Sequence, residues 1–110
     1  MSDLNLAVVS GRIGNIEINQ GETRLQMRVA SARYAGSERG EVTEWFTVIV
    51  FGKRAKALFG MLVVGQQVTV QAEMRNSTYE NRDGQKVNVL ELIAEDVVMG
   101  ARPLEGGRPQ

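Results

Sequence analysis

The chain has 110 residues, enough for one packed core and too few for two. Thirteen basic and thirteen acidic side chains leave no net charge, which argues against a protein that holds polyanions by bulk charge alone. Cysteine and histidine are absent, removing disulfides, most metal sites and most proton transfer at neutral pH.

No apolar run is long enough to cross a bilayer, Met61-Leu62-Val63-Val64 being of the longest kind, and the N-terminus shows no secretory pattern. A cytoplasmic protein without a membrane partner is the default expectation. No Walker-type loop and no paired carboxylates in a recognisable setting are present, so the chain is expected not to be an enzyme and to carry no cofactor and no metal.

The chain reads as short alternating segments with turn signals between them. Leu4, Leu6 and Val8 alternate with Asn5, Ala7 and Val9 in a first strand running toward Gly11 and Gly14. Apolar residues on both of its faces suggest a strand covered on both sides. Asn19 to Glu22 is a turn. From Arg24 to Ala32, Leu25, Met27 and Val29 share one face, while Arg24, Gln26 and Arg28 share the other. Ala35 to Glu41 is an exposed loop. Thr43 to Phe51, rich in β-branched and aromatic residues, is the candidate central strand.

The period then changes. Ala55, Leu58, Phe59 and Leu62 fall at helical spacing, with Lys53, Arg54 and Lys56 toward solvent, and the helix ends near Gly65. Phe59 reads as plain core. Val68, Val70, Ala72 and Met74 form the inward set of a fourth strand. Asn81-Arg82-Asp83-Gly84 signals a hairpin, and Val87 to Val98 returns, interrupted by Glu91 and Glu95. The pattern predicts an all-β domain over residues 1–101, a five-stranded OB-fold barrel with one short helix between strands 3 and 4. A short flexible tail over 102–110, with two prolines and two glycines, follows. Such barrels bind oligonucleotides or oligosaccharides on the face of strands two and three.

Several stretches carry a family resemblance: NLAVVSGRIG from Asn5 to Gly14, Thr43-Glu44-Trp45 followed by Val50 to Ala55, Gly65 to Val68, and YENRDG from Tyr79 to Gly84. They resemble the bacterial single-stranded DNA-binding protein family over roughly residues 4 to 101, most specifically from Thr43 to Ala55. The resemblance implies a homotetramer, or a dimer, that wraps single-stranded DNA in replication, recombination and repair. It implies a cytoplasmic, nucleoid-associated protein of bacterial, phage or mobile-element origin. The family's stacking aromatics map onto Trp45, Phe51 and Tyr79, and a fourth onto Tyr34, where the following loop is shorter. Its lysine after Phe-Gly falls on Lys53 and a hairpin arginine on Arg75. The resemblance also implies that the first strand is covered by pairing between subunits.

There are departures. Val63 and Val64 stand where the family often has basic residues, and Asn76, Ser77 and Thr78 occupy an arm that is often basic. Fewer phosphate contacts imply a shallower salt dependence. The family's long tail with an acidic tip, which recruits replication and repair enzymes, has no counterpart at Gly106 to Gln110, so such recruitment is not expected.

The residues themselves support the stacking assignment through parity. Trp45 and Phe51 lie six positions apart and project from one face of a regular strand, with Thr47 and Ile49. Large aromatics are usually buried, so that face taken alone reads as core. However, Phe46, Val48 and Val50 already supply a fully apolar inward face of opposite parity, which turns Trp45 and Phe51 outward unless a bulge intervenes. Tyr79 sits among polar hairpin residues, where it either stacks on a base or lies flat on the protein surface. Tyr34, at a strand end, offers the same choice.

Base–aromatic stacking holds single strands without reading their sequence, and nearby cations follow the backbone. Arg24, Arg28, Lys53, Arg54 and Arg75 are the candidate phosphate contacts, ordinary solvated surface charge being the alternative for each. Glu44 beside Trp45 would repel phosphate unless it is paired or turned away. The expected partner is single-stranded DNA. Two other readings remain open: an OB-fold protein–protein adaptor of the replication machinery of primosomal type, and an RNA-binding OB module.

Overall fold

A computed structural model describes residues 3–103. Five strands run β1 (Ala7–Ile18), β2 (Arg24–Tyr34), β3 (Glu41–Phe51), β4 (Gln67–Glu80) and β5 (Lys86–Met99), with one helix, α1 (Lys53–Met61), between β3 and β4. They close into a barrel in the order β1-β2-β3-β5-β4. This is the OB-fold arrangement that the sequence pattern predicts. Every neighbouring pair is antiparallel except β3 and β5, whose parallel register runs Thr47 to Glu91, Val48 to Leu92 and Ile49 to Ile93. That short ladder closes the barrel and fixes which residues of β5 lie beside the central strand.

The barrel forms because each strand donates one alternating apolar set to a single interior. Leu25, Met27 and Val29 from β2, Val48 and Val50 from β3, and Val68, Val70 and Ala72 from β4 are fully enclosed. Burial of a side chain of this size contributes roughly 1.5–3 kcal/mol, so truncating Leu25 to alanine would cost about 2–5 kcal/mol. The inward set of β1 is Ala7, Val9 and Ile13, packed on or within that core. Leu6 and Val8, of the other parity, are exposed, so within one chain β1 is covered on one side only.

A bulge bends β1 between Ile13 and Asn15, which lets its first half pair with β4 and its second half with β2. The helix stops one open end of the barrel with Ala55 and Leu58, and Leu62 follows at its C-cap.

Two residues expected in the core lie elsewhere. Phe59 is 39% exposed, because one turn after Ala55 the inward position is taken by Leu58 and the next residue swings about 100° around the axis. Met74 has the inward parity of Val70 and Ala72 but is partly exposed. At its level β4 has passed the end of its pairing with β1 at Ala7–Ala72, and beyond Glu91 the β4–β5 ladder continues as a two-stranded arm to the Asn81–Gln85 turn. Asn5 meets this strand from the side, donating its amide to the Met74 carbonyl at 2.8 Å and accepting from the Met74 N–H at 3.0 Å.

After β5 the chain stays on the body. The Gln67 N–H donates to the Ala101 carbonyl at 2.8 Å, and the Arg102 guanidinium donates to the Met61 carbonyl at 2.9 Å. Of the expected tail, residues 104–110 lie outside the described residues. Among the described residues, no helix is long and apolar enough to cross a membrane.

Candidate nucleic-acid interface

Register alone gathers the candidate residues. On β3, Trp45, Thr47, Ile49 and Phe51 share the outward parity, and no bulge interrupts the β2–β3 ladder from Arg24–Phe51 to Tyr34–Glu41. Arg24, Gln26, Arg28 and Tyr34 therefore lie on that same face of β2. The parallel ladder adds Glu91 and Ile93 of β5, and the β4–β5 pairs Arg75–Glu91, Ser77–Val89 and Tyr79–Val87 add the outer residues of the arm. One continuous surface runs across β2, β3, β5 and β4. It carries the rings of Tyr34, Trp45, Phe51 and Tyr79 together with Arg24, Arg28 and Arg75.

Trp45 and Phe51 are 50% and 48% exposed, while Tyr79 and Tyr34 are 54% and 71% exposed. Trp45 and Phe51 stand about 20 Å apart along the strand, a track longer than one nucleotide.

The indole does not stand freely. Its register partner on β2 is Ala30, too small to hold it upright, and beyond it lies Gly14 on β1. A Cβ on Gly14 would fall 2.3 Å from Cζ3 and 2.7 Å from Cη2 of Trp45, so only a glycine leaves room for the ring's far edge. The Arg28 guanidinium carbon lies 5.1 Å from the ring centroid, within cation–π range. Sequence reasoning missed this seat. The signal was a glycine inside a strand, which often marks a bulge or a close approach, and both hold at Gly14.

Phe51 ends β3. Gly52 follows at φ 85°, a left-handed conformation that turns the chain directly into α1, and its N–H donates to the Thr23 carbonyl at 2.9 Å. This turn sets Lys53 at the first helical position, exposed beside the end of the track. The helix has no side-chain cap and no acidic residue in its first turn, so Lys53 meets the positive end of the helix dipole without compensation.

The cations differ in what already holds them. Among the described residues, Arg28 and Lys53 make no ion pair. Arg24 reaches Glu91 at 3.7 Å and donates to the Gln26 side-chain carbonyl at 3.3 Å. Arg75 contacts Glu73 on its own strand at 3.4 Å. Arg54 points away from the track and donates to the backbone carbonyls of Glu95 at 2.6 Å and Ala94 at 3.0 Å, which ties the helix start to β5. Lys56 meets Glu22 at 3.8 Å.

Glu44, the carboxylate next to Trp45, has the opposite parity and is held by Arg33 at 2.8 Å, so it leaves the stacking face clear. Carboxylates that do share this face include Glu41 opposite Tyr34, Glu73 opposite Ile93, and Glu91 beside Thr47 near its middle, where sequence reasoning did not place one. The position of Glu91 depends on the parallel register of β3 and β5, and no local pattern gives that register. The same holds for Ile93, which with Ile49 forms an apolar floor between Trp45 and Phe51.

Comparison with known proteins bears on the family and the fold. A single-stranded DNA-binding protein of Xanthomonas axonopodis pv. citri is 29% identical over 112 residues, covering 96% of this chain and 59% of that protein. The corresponding protein of Treponema pallidum is 26% identical, over 96% of this chain and 63% of its own length. The chain thus spans less than two thirds of the length of these curated relatives. Among solved structures, a Plasmodium falciparum SSB in complex with ssDNA superposes with a TM-score of 0.73 at 19% identity, covering 92% of this chain and 98% of that one. A mitochondrial single-stranded DNA binding protein of S. cerevisiae gives 0.66 at 27% identity, over 89% and 96%. The model of the Single-strand binding protein family matches residues 4–100, the whole barrel, and the chain belongs to that family.

Proposed function

We propose that this chain binds single-stranded DNA without sequence preference, stacking bases on Trp45, Phe51, Tyr79 and Tyr34. Arg24, Arg28, Lys53 and Arg75 neutralise the phosphates between them. Arg54, with two donors spent on backbone carbonyls, contributes least. One observation carries this reading: four exposed rings and three arginines share one uninterrupted outer surface of the barrel.

Stacking suits any base because every base has a π-face, and each ring contributes roughly 1–3 kcal/mol. The cations supply the salt-dependent part, about 0.7 unit of log–log slope for each phosphate engaged on a single strand. The bound strand is protected in this way during replication, recombination and repair. In this reading the chain binds its ligand and does not transform it. The chain acts as a homo-oligomer, a tetramer or a dimer, with the exposed Leu6, just before β1, and Val8 of β1 as apolar area for a second copy.

Competition tests the reading directly. Labelled oligo-dT bound to the protein is challenged with unlabelled single-stranded DNA of mixed sequence, RNA of equal length, and duplex DNA, and followed by fluorescence anisotropy. Mixed-sequence single strands should displace the label at nearly the concentration of oligo-dT, and duplex only in large excess. Displacement by RNA at lower concentration than DNA would make this an RNA-binding module. No binding to any of them would overturn the proposal.

A further inference from the structure

Ile49 is fully buried, although its parity points it outward with Trp45 and Phe51. Register explains what covers it. Ile49 pairs with Gln26 on β2 and with Ile93 on β5, while Arg24 stands beside Phe51 and Glu91 beside Thr47. Arg24 and Glu91 are thus diagonal to Ile49 on its two flanking strands. The ion pair that joins them at 3.7 Å crosses β3 above it. Gln26 holds the guanidinium from the side at 3.3 Å. The result is a charged strap across the middle of the stacking track, between its two β3 rings.

We propose that Glu91 sets the affinity of this face for single strands by holding Arg24 until a phosphate displaces it. This rests on the function proposed above. In the free protein the Glu91 carboxylate occupies the guanidinium that a phosphate would use. Binding exchanges one anion for another: Arg24 turns to the phosphate and the apolar floor of Ile49 opens to the strand. The released Glu91 carboxylate turns to solvent, since Arg75, directly opposite it on β4, is already held by Glu73. The strap is only partly exposed, with Arg24 40% and Glu91 20% accessible, yet near enough to solvent for the exchange to cost little. Glu91 is a positioning residue, acting through Arg24.

The test is a double-mutant cycle on Glu91→Gln and Arg24→Gln. Oligo-dT affinity is measured over a series of salt concentrations, and thermal unfolding confirms that each protein is folded. Glu91→Gln should raise affinity about two- to fivefold at low salt, the range of an exposed ion pair. Its line of log affinity against log salt should stay parallel to that of the unmodified protein, because Arg24 meets the same phosphate in both. Arg24→Gln should cost little alone and about fivefold in the Glu91→Gln background.

Unchanged affinity in Glu91→Gln, with the unmodified protein binding normally, would overturn the role of Glu91 and leave the proposed function standing. So would an equal cost of Arg24→Gln in both backgrounds. A Glu91→Gln protein that melts earlier and binds more weakly would show a structural brace instead. No binding by any of the four proteins would remove the proposed function, and this role with it.

Discussion

Truncating Trp45 to alanine separates two halves of one side chain. The outward half is available to a base, and its loss should weaken oligo-dT binding by about 1–3 kcal/mol, roughly 5- to 150-fold in Kd. The other half is packed on Gly14 and beneath Arg28, and its loss should cost stability as well. An enclosed aromatic buries about 150–250 Å², so half of that at about 25 cal/mol per Å² gives an upper bound near 2–3 kcal/mol. A domain stable by about 5–15 kcal/mol survives that loss, so affinity can be measured on folded protein.

The assay is anisotropy of labelled oligo-dT at several salt concentrations, beside thermal unfolding of the same samples. Stacking releases no counterions, so the lines of log affinity against log salt should shift down and remain parallel. Unchanged affinity in a folded Trp45→Ala protein would refute the stacking role. A drop accompanied by a shallower slope would mean that the indole acts only by placing Arg28.

Gly14→Ala should push the indole off its seat, since a carbon 2.3 Å away must retreat by more than about 1 Å to reach ordinary contact. The Trp45 emission of the free protein should change and affinity fall several-fold; identical emission and affinity would contradict the seat. Tyr79→Ala removes a ring from the arm beyond the barrel, so it should weaken binding by at least about fivefold while the melting temperature hardly moves. Lys53→Gln should leave the stacking contribution intact and lower the salt slope by about 0.7, as read from affinities across a potassium chloride series. A parallel shift instead would deny Lys53 a phosphate contact.

Much of the scaffold was legible because its signals are local. The alternation of Leu25, Met27 and Val29 with charged neighbours needs only a period of two, and the change to helical spacing after Gly52 marks α1 without reference to anything distant. The outward direction of Trp45 and Phe51 followed from the apolar set Phe46, Val48 and Val50 of opposite parity.

What escaped depends on partners far away in sequence. Met74 has the right parity for the core, but burial requires covering neighbours, and the pairing of β4 with β1 has already ended at Ala72. Phe59 falls beside an inward stripe that Ala55, Leu58 and Leu62 complete without it. Ile49 was expected on the surface and is sealed by side chains from two other strands. Glu91 read as an interruption in β5, and only the parallel register with Thr47 places it on the stacking face. The strand glycine Gly14 signalled a close approach without saying what approaches.

Trp45 is the only tryptophan of the chain, so its emission reports on the proposed track and on nothing else. Titration with oligo-dT should quench it strongly, saturate at a stoichiometry of about 4–16 nucleotides per barrel, and reverse on addition of salt. Emission that stays constant while anisotropy shows the same DNA bound would place the strand elsewhere on the protein and contradict the account.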